Sequence, residues 1–328
     1  VRYAPMSIDT PPAVASTEAG SAGPNGQNGL ALFAVSVTVV VWGASAVAIK
    51  STSTTGLVGS FYRLWFAVAG LWLAALVLPS VRRRFDGNWL RASLVGGALF
   101  GLHQIVFFSS IKLTSVANVM ILTSLQPVLV AAVAGRFFGE RPRLGDVLWS
   151  LLAVVGTAAV MAGSTRGTGY CFWGDVLAVA NLFAFTAYFL ASKRFREKVG
   201  APEYMVGMTT VAGVVVATAT LIGGEDLGSP TRYDLLALLL VAILPGTLGH
   251  LVINWAHLYV SAFAISILIL AVPVISSAGA ALYLDEPLGW IQIGGGLVVL
   301  IAIAIVIRST TERSTTERST TERSTTER

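Results

Sequence analysis

Four polar residues in one apolar stretch, Thr247, His250, Asn254 and His257, fall at i, i+3, i+7 and i+10 and so share one face of a helix. Two imidazoles, an amide and a hydroxyl in line can hydrogen-bond a polar solute. Shorter stripes occur elsewhere: Thr38, Trp42 and Ser45 share a face, as do Asn181, Tyr188 and Ser192. His103 and Gln104, Asn118 and Gln126, and Trp255 complete the candidates for a polar path through apolar surroundings. Each also has a plainer reading. Ser and Thr bond their own helix backbone, Asn and Gln glue neighbouring helices together, and Trp42 and Trp255 can serve as packing or interfacial anchors.

Catalysis is a poor fit to the same residues. A hydrolase or transferase needs a nucleophile beside a base, or a set of metal ligands. The chain has three histidines and one cysteine, Cys171, and no HExxH, DxxD or GxSxG. One cysteine excludes an intrachain disulfide and any CxxC site. No metal, no cofactor and no enzymatic activity are expected.

The elements that must carry these residues follow from composition. The chain has 328 residues, of which 55% are hydrophobic and 12% charged, with a mean hydropathy of +0.74. Soluble domains carry about 25% charged residues, so this chain cannot cover a water-facing surface. Apolar runs of roughly 20 residues recur, each long enough to cross the hydrocarbon core as a helix. Ten spans are expected, at 30–49, 57–79, 92–111, 115–138, 145–163, 171–192, 203–223, 234–256, 261–283 and 288–307. The class is an all-α membrane protein whose first partner is the lipid bilayer. The net charge of +5 gives no reason to expect nucleic acid.

Residues 1–29 lack the basic start and apolar core of a signal peptide. They read as a disordered tail, with the first span an uncleaved anchor. Residues 308–328 hold four copies of the pentapeptide STTER and read as a solvated low-complexity tail. With the N-terminus in the cytoplasm, the cytoplasmic loops carry Arg82, Arg83, Arg84, Arg91, Arg136, Arg141, Arg143, Lys193, Arg194, Arg196 and Lys198. The outer loops carry only Lys50, Lys112, Arg166 and Arg232. The positive-inside rule then places both termini in the cytoplasm, as an even number of spans requires.

The charges inside the spans are few. Arg63 is the basic residue that lies several positions within one. It reads either as a receptor for a substrate carboxylate or as an interfacial anchor whose long stem snorkels to the outer surface. None of the 17 Asp and Glu residues falls centrally in a span. Proton-coupled exporters of organic cations commonly use an embedded carboxylate, so neutral or zwitterionic solutes fit better. Protons remain a candidate second cargo, with His103 or His250 as carriers, because imidazole titrates near neutral pH.

Finally, the chain repeats itself. "SVANVMILTSLQPVLVAAVAGRFFGE" (115–140) and "SAFAISILILAVPVISSAGAALYLDE" (261–286) align at a separation of 146 residues, matching Pro127 to Pro273 and Glu140 to Glu286. "TVVVWGASAVAIK" (38–50) and "NLFAFTAYFLASK" (181–193) align at 143. Five spans per half force the second half into the membrane upside down, the plan of inverted-repeat secondary transporters. The two prolines remove backbone donors in mid-helix and read as hinges or as plain packing kinks. The two glutamates, at helix ends, read as loop caps or gate contacts rather than proton sites.

These two runs, with "VWGASAVAIK", "FYRLWFAVAG" and "LPGTLGHLVINWAHLYV", resemble the EamA-type repeats of the drug/metabolite transporter superfamily across residues 30–307. One departure is that the first half ends in GE and the second in DE. The resemblance implies repeats at 30–163 and 164–307, ten helices as two inverted five-helix bundles around a central cavity, and a bacterial inner-membrane location. It also implies export of amino acids, related metabolites or drugs. The expected function is secondary transport of small neutral or zwitterionic metabolites by alternating access. The alternatives are a proton-coupled multidrug exporter and, in another class, a membrane sensor or scaffold that moves nothing.

Overall fold

Pro127 and Pro273 each lie just beyond a break in the helix that carries them. Proline has no N–H for the carbonyl four residues earlier, here Thr123 and Ile269, and its ring crowds that turn. The fourth passage accordingly stops at Thr123 and restarts at Gln126, and the ninth stops at Ile269 and restarts at Ala271. At both breaks the backbone tightens to i−3 bonds, Leu125 N–H to Leu122 O (3.2 Å) and Leu270 N–H to Ile267 O (3.1 Å).

The computed structural model describes residues 24–77, 87–114, 116–139, 143–164, 172–228, 230–283, 289–291, 293–306 and 308–309. They form ten helical passages. These are α1 Pro24–Ser51, α2 Gly56–Val77, α3 Gly87–Leu113, α4 in the pieces Val116–Thr123 and Gln126–Phe138, and α5 Leu144–Ser164. The second five are α6 Phe172–Arg196, α7 Ala201–Ile222, α8 Arg232–Ala256, α9 in the pieces Ala262–Ile269 and Ala271–Tyr283, and α10 Ile293–Val306. Six of the described helices, α1, α2, α3, α6, α7 and α8, are long and apolar enough to cross a membrane unbroken. The first begins at Pro24, ahead of the expected residue 30. Proline in a first turn gives up a donor that would be unpaired anyway.

Local chemistry sets several ends. Thr231 and Asp234 form a reciprocal capping box at the start of α8. The Ser261 hydroxyl accepts from Ala264 N–H at 3.1 Å to start α9. Gly139 closes α4 in the left-handed region at φ 69°. Within α8, Ala242–Gly249 widens into a π-helical segment around Pro245, a distortion often found at functional sites.

Burial is inverted relative to a water-soluble protein. Large apolar side chains such as Phe33, Leu76 and Ile222 face outward, while Arg63, Gln104, Asn181, His250 and Asn254 are buried. That is the distribution lipid demands, with polar groups turned into the bundle.

The packing respects the repeat. α3 packs on α6 and α7, and its counterpart α8 packs on α1 and α2. α4 packs on α6 as α9 packs on α1, and α2 meets its own counterpart α7. Each contact recurs when the halves are exchanged. Because five passages separate corresponding helices, the halves run in opposite directions through the bilayer. The chain is a multi-pass membrane protein of two inverted five-helix repeats.

Candidate functional site

A cavity of about 100 Å³ lies where the two halves meet. Three repeat-related pairs help to line it: Trp42 with Phe185, Gln104 with His250, and Thr123 with Ile269. Ser45, Arg63, His103 and Asn181 add polar groups, and Phe107, Phe108 and Met120 add apolar wall. Apolar walls with a few placed polar groups are the usual make-up of small-molecule sites.

Two hydrogen-bond chains hold the polar groups, and both pass through α6. His103 Nδ1 donates to Asn181 Oδ1 at 2.7 Å, and Asn181 Nδ2 donates to Thr123 Oγ1 at 3.2 Å, which ties α3, α6 and α4 together. Asn254 Nδ2 donates to the Tyr188 hydroxyl at 3.3 Å, and that hydroxyl lies 3.1 Å from His250 Nδ1. The aromatic walls touch one another: Trp42 meets Phe185 edge-on at 6.1 Å, and His103 stacks on Phe185 at 4.8 Å. Trp42 also lies 5.0 Å from His250, and its Nε1 donates to the Pro245 carbonyl of the π segment at 2.9 Å. That carbonyl gains its partner from another helix.

The polar stripe on α8 does not line one path. Of its four members only His250 reaches the cavity. Asn254 turns to Tyr188 and to Met205 Sδ at 3.3 Å. His257 packs edge-on against Phe189 at 4.6 Å, with neither ring nitrogen bonded. The reason is depth: His250, Asn254 and His257 follow the π segment and all turn toward α6, at Tyr188 and Phe189, but the cavity reaches only the first of them. The π segment, with more than 3.6 residues per turn, separates only Thr247 from their face. Thr247 lies on that segment, half-buried, and outside the cavity lining.

Several other expected residues also sit elsewhere. Thr38 donates to its own helix at Ala34 O (3.0 Å). Trp255 packs on Tyr259 at 5.1 Å, and Gln126 is buried at the α4 break with both amide atoms unbonded. Tyr188 stands behind His250 rather than in the wall. Pro127 and Pro273 flank the breaks, one turn from the cavity residues Thr123 and Ile269. Arg63 corrects an expectation of the opposite kind. It does not snorkel to the surface but is 3% exposed, with Cζ 5.3 Å from the centroid of the Phe100 ring. Glu140 and Glu286 lie outside the described residues, as does the side chain of Asn118.

Sequence reasoning missed Phe185, Thr123 and a pair of lysines. Lys50, at the end of α1, donates to the carbonyls of Ile111 (2.7 Å) and Thr114 (3.0 Å) at the end of α3. Lys193, at the end of α6, points to the carbonyls of His257 (3.5 Å) and Val260 (3.3 Å) at the end of α8. Every partner is the repeat counterpart of the other, and a cation on the last carbonyls of a helix complements its dipole. The signal was present: both aligned segments end in lysine.

Among the described residues, no group of three or more His, Cys, Asp or Glu side chains comes together to hold a metal ion.

The arrangement has relatives. The chain is 31% identical over 193 residues to an aromatic amino acid exporter of Ancylobacter novellus, covering 56% of this chain and 62% of the exporter. It is 23% identical over 278 residues to a WAT1-related chloroplastic protein of Arabidopsis thaliana, covering 81% of this chain and 66% of that protein. The chain thus spans just under two thirds of the length of these two. A biotin transporter of Escherichia coli is 24% identical over 273 residues, covering 80% of this chain and 89% of the transporter. A protein crystal structure superposes with a TM-score of 0.71 at 19% identity, over 86% of this chain and 98% of that one, and shares the fold. The EamA-like transporter family model matches residues 29–162 and 172–308, so both halves align with it and the chain belongs to the EamA-like transporter family.

Proposed function

We propose that this protein is a secondary transporter that exports small neutral or zwitterionic metabolites, amino acids among them, across a bacterial inner membrane. In this reading residues 30–163 and 164–307 are the two moving halves. The cavity between them opens alternately to either side, and the positive-inside bias puts both termini in the cytoplasm. One observation carries the reading: three repeat-related pairs, Trp42/Phe185, Gln104/His250 and Thr123/Ile269, line a single cavity. A site built by both inverted halves stays reachable after they exchange conformations. The aromatic wall suits a cargo with a ring, in line with the aromatic amino acid exporter among the relatives.

Reconstituted vesicles supply the test. Labelled amino acids and dyes are presented with and without a pH gradient. Amino-acid flux is expected, and its response to the gradient reports whether protons move with the cargo. Absence of flux for every probe would favour a sensor or scaffold.

A further inference from the structure

The cavity contains a buried cation that no acid among the described residues neutralises. Arg63 is 3% exposed, lines the cavity, makes no hydrogen bond, and has a buried Nη1 without a partner. A guanidinium stays protonated in proteins, so this is a fixed positive charge at membrane depth. The described acids, Asp146, Asp175, Glu197, Glu203, Glu225, Asp226 and Asp234, all lie at helix ends or in loops, and none lines the cavity. What surrounds Arg63 is the Phe100 ring, whose face favours a cation, together with the neighbouring imidazoles of His103 and His250.

The neighbourhood is shaped to admit that charge. A Cβ at Gly246 would lie 2.8 Å from Arg63 Nη2 and 2.9 Å from Nε. The glycine of the π segment therefore makes the room in which the guanidinium sits. Gln104, whose side chain lines the same cavity, has a buried Oε1 with no donor. One wall thus offers unused N–H groups on a cation and an unused acceptor. A buried charge without a counter-charge is strongly unfavourable, so the Arg63 guanidinium favours an anionic partner in the cavity.

We infer that the cargo carries a carboxylate and that Arg63 receives it inside the cavity. This rests on the transport reading above and narrows its substrate class: the carboxylate is the required group, and an ammonium, where present, is accepted by Gln104. A guanidinium pairs with a carboxylate through two parallel N–H···O bonds, which orients the cargo with its remaining body against Trp42 and Phe185.

Binding by the purified full chain in detergent, followed by titration calorimetry, tests this without any flux. The probes are 3-phenylpropionate, L-phenylalanine, phenethylamine and sodium chloride. Both carboxylates are expected to bind, with phenethylamine at least about thirtyfold weaker. Arg63→Gln should weaken both carboxylates by at least about thirtyfold, while Arg63→Lys, which keeps the charge but not the fork, should restore part of the loss. The wild-type comparison of acid with amine needs no variant, so a folding defect in Arg63→Gln does not blunt the test. Amine binding as tight as acid binding overturns the inference. So does unchanged acid binding in Arg63→Gln, occupancy by chloride with which the acids do not compete, or no binding by either carboxylate. The export reading fails on a different measurement, the absence of vesicle flux for a carboxylate that binds.

Discussion

Lys50 and Lys193 occupy equivalent positions at opposite ends of the bundle, yet they hold their partners differently. At the Lys50 end the ammonium sits 2.7 and 3.0 Å from its two carbonyls; at the Lys193 end the distances are 3.5 and 3.3 Å. The first pair lies within hydrogen-bonding range and the second beyond its usual limit. Other bonds follow the same division. The Lys50 end is knotted further by Lys112 Nζ on Thr52 Oγ1 (2.8 Å), by the Ser53 hydroxyl on Asp234 (2.6 Å) and by the Thr114 hydroxyl on Asp175 (2.7 Å). The Lys193 end relies on Arg196 Nε donating to Asn254 O (2.9 Å), on the Ser192–Tyr204 hydroxyl pair (2.9 Å) and on Trp89 Nε1 donating to Glu203 O (2.8 Å). An inverted repeat allows one clamp to tighten while the other slackens, so the inequality marks which way the structure leans.

Breaking the clamps one at a time is the strongest test. Lys50→Met should remove about 1.5–3 kcal/mol, the worth of hydrogen bonds from a charged donor. The expected readout is a melting midpoint several degrees lower in detergent. Lys193→Met should shift it by less than half as much; equal shifts would mean that the difference in length carries no energy. Asn181→Ala leaves His103 Nδ1 without its acceptor and should destabilise by about 1–3 kcal/mol, measured in the same melting experiment. His250→Ala should lower vesicle flux about tenfold, the equivalent of about 1.4 kcal/mol, with surface expression retained. Asn254→Ala, outside the cavity, should lower it less, and the reverse order would return the α8 stripe to the path. The smallest effect belongs to Thr38→Ala. Its hydroxyl bonds its own helix, so stability should move by no more than about 0.5 kcal/mol and flux should not change, in contrast to its repeat counterpart Asn181.

Much of this is legible in the sequence. Span number and the proline breaks follow from run length and from the missing N–H of Pro127 and Pro273, which act locally wherever they fall. His103, Gln104, Asn181 and His250 also announced themselves, because polar side chains in apolar runs must face inward. The α8 stripe misled because a shared face is not a shared depth: His250, Asn254 and His257 all turn toward α6 but the cavity reaches only His250, and the π segment at Ala242–Gly249 takes Thr247 out of their register. Pro245 within "ILPGTLG" was the local sign of it. For Arg63 the sequence left two readings open, a cavity receptor and a surface anchor, and could not choose between them. Its position near a helix end suggested an exit to water, whereas the Phe100 ring and the bare Cα of Gly246 that enclose it come from α3 and α8, distant in the chain.

The two proline breaks also set a limit on mutational mapping. At Thr123 and Ile269 the missing partner belongs to main-chain oxygens, in residues that line the cavity. Alanine scanning along this wall would leave both oxygens in place, and a cargo N–H resting on either would escape detection. Only exchange of Pro127 or Pro273 themselves, by giving those oxygens back a helical donor, would expose their contribution.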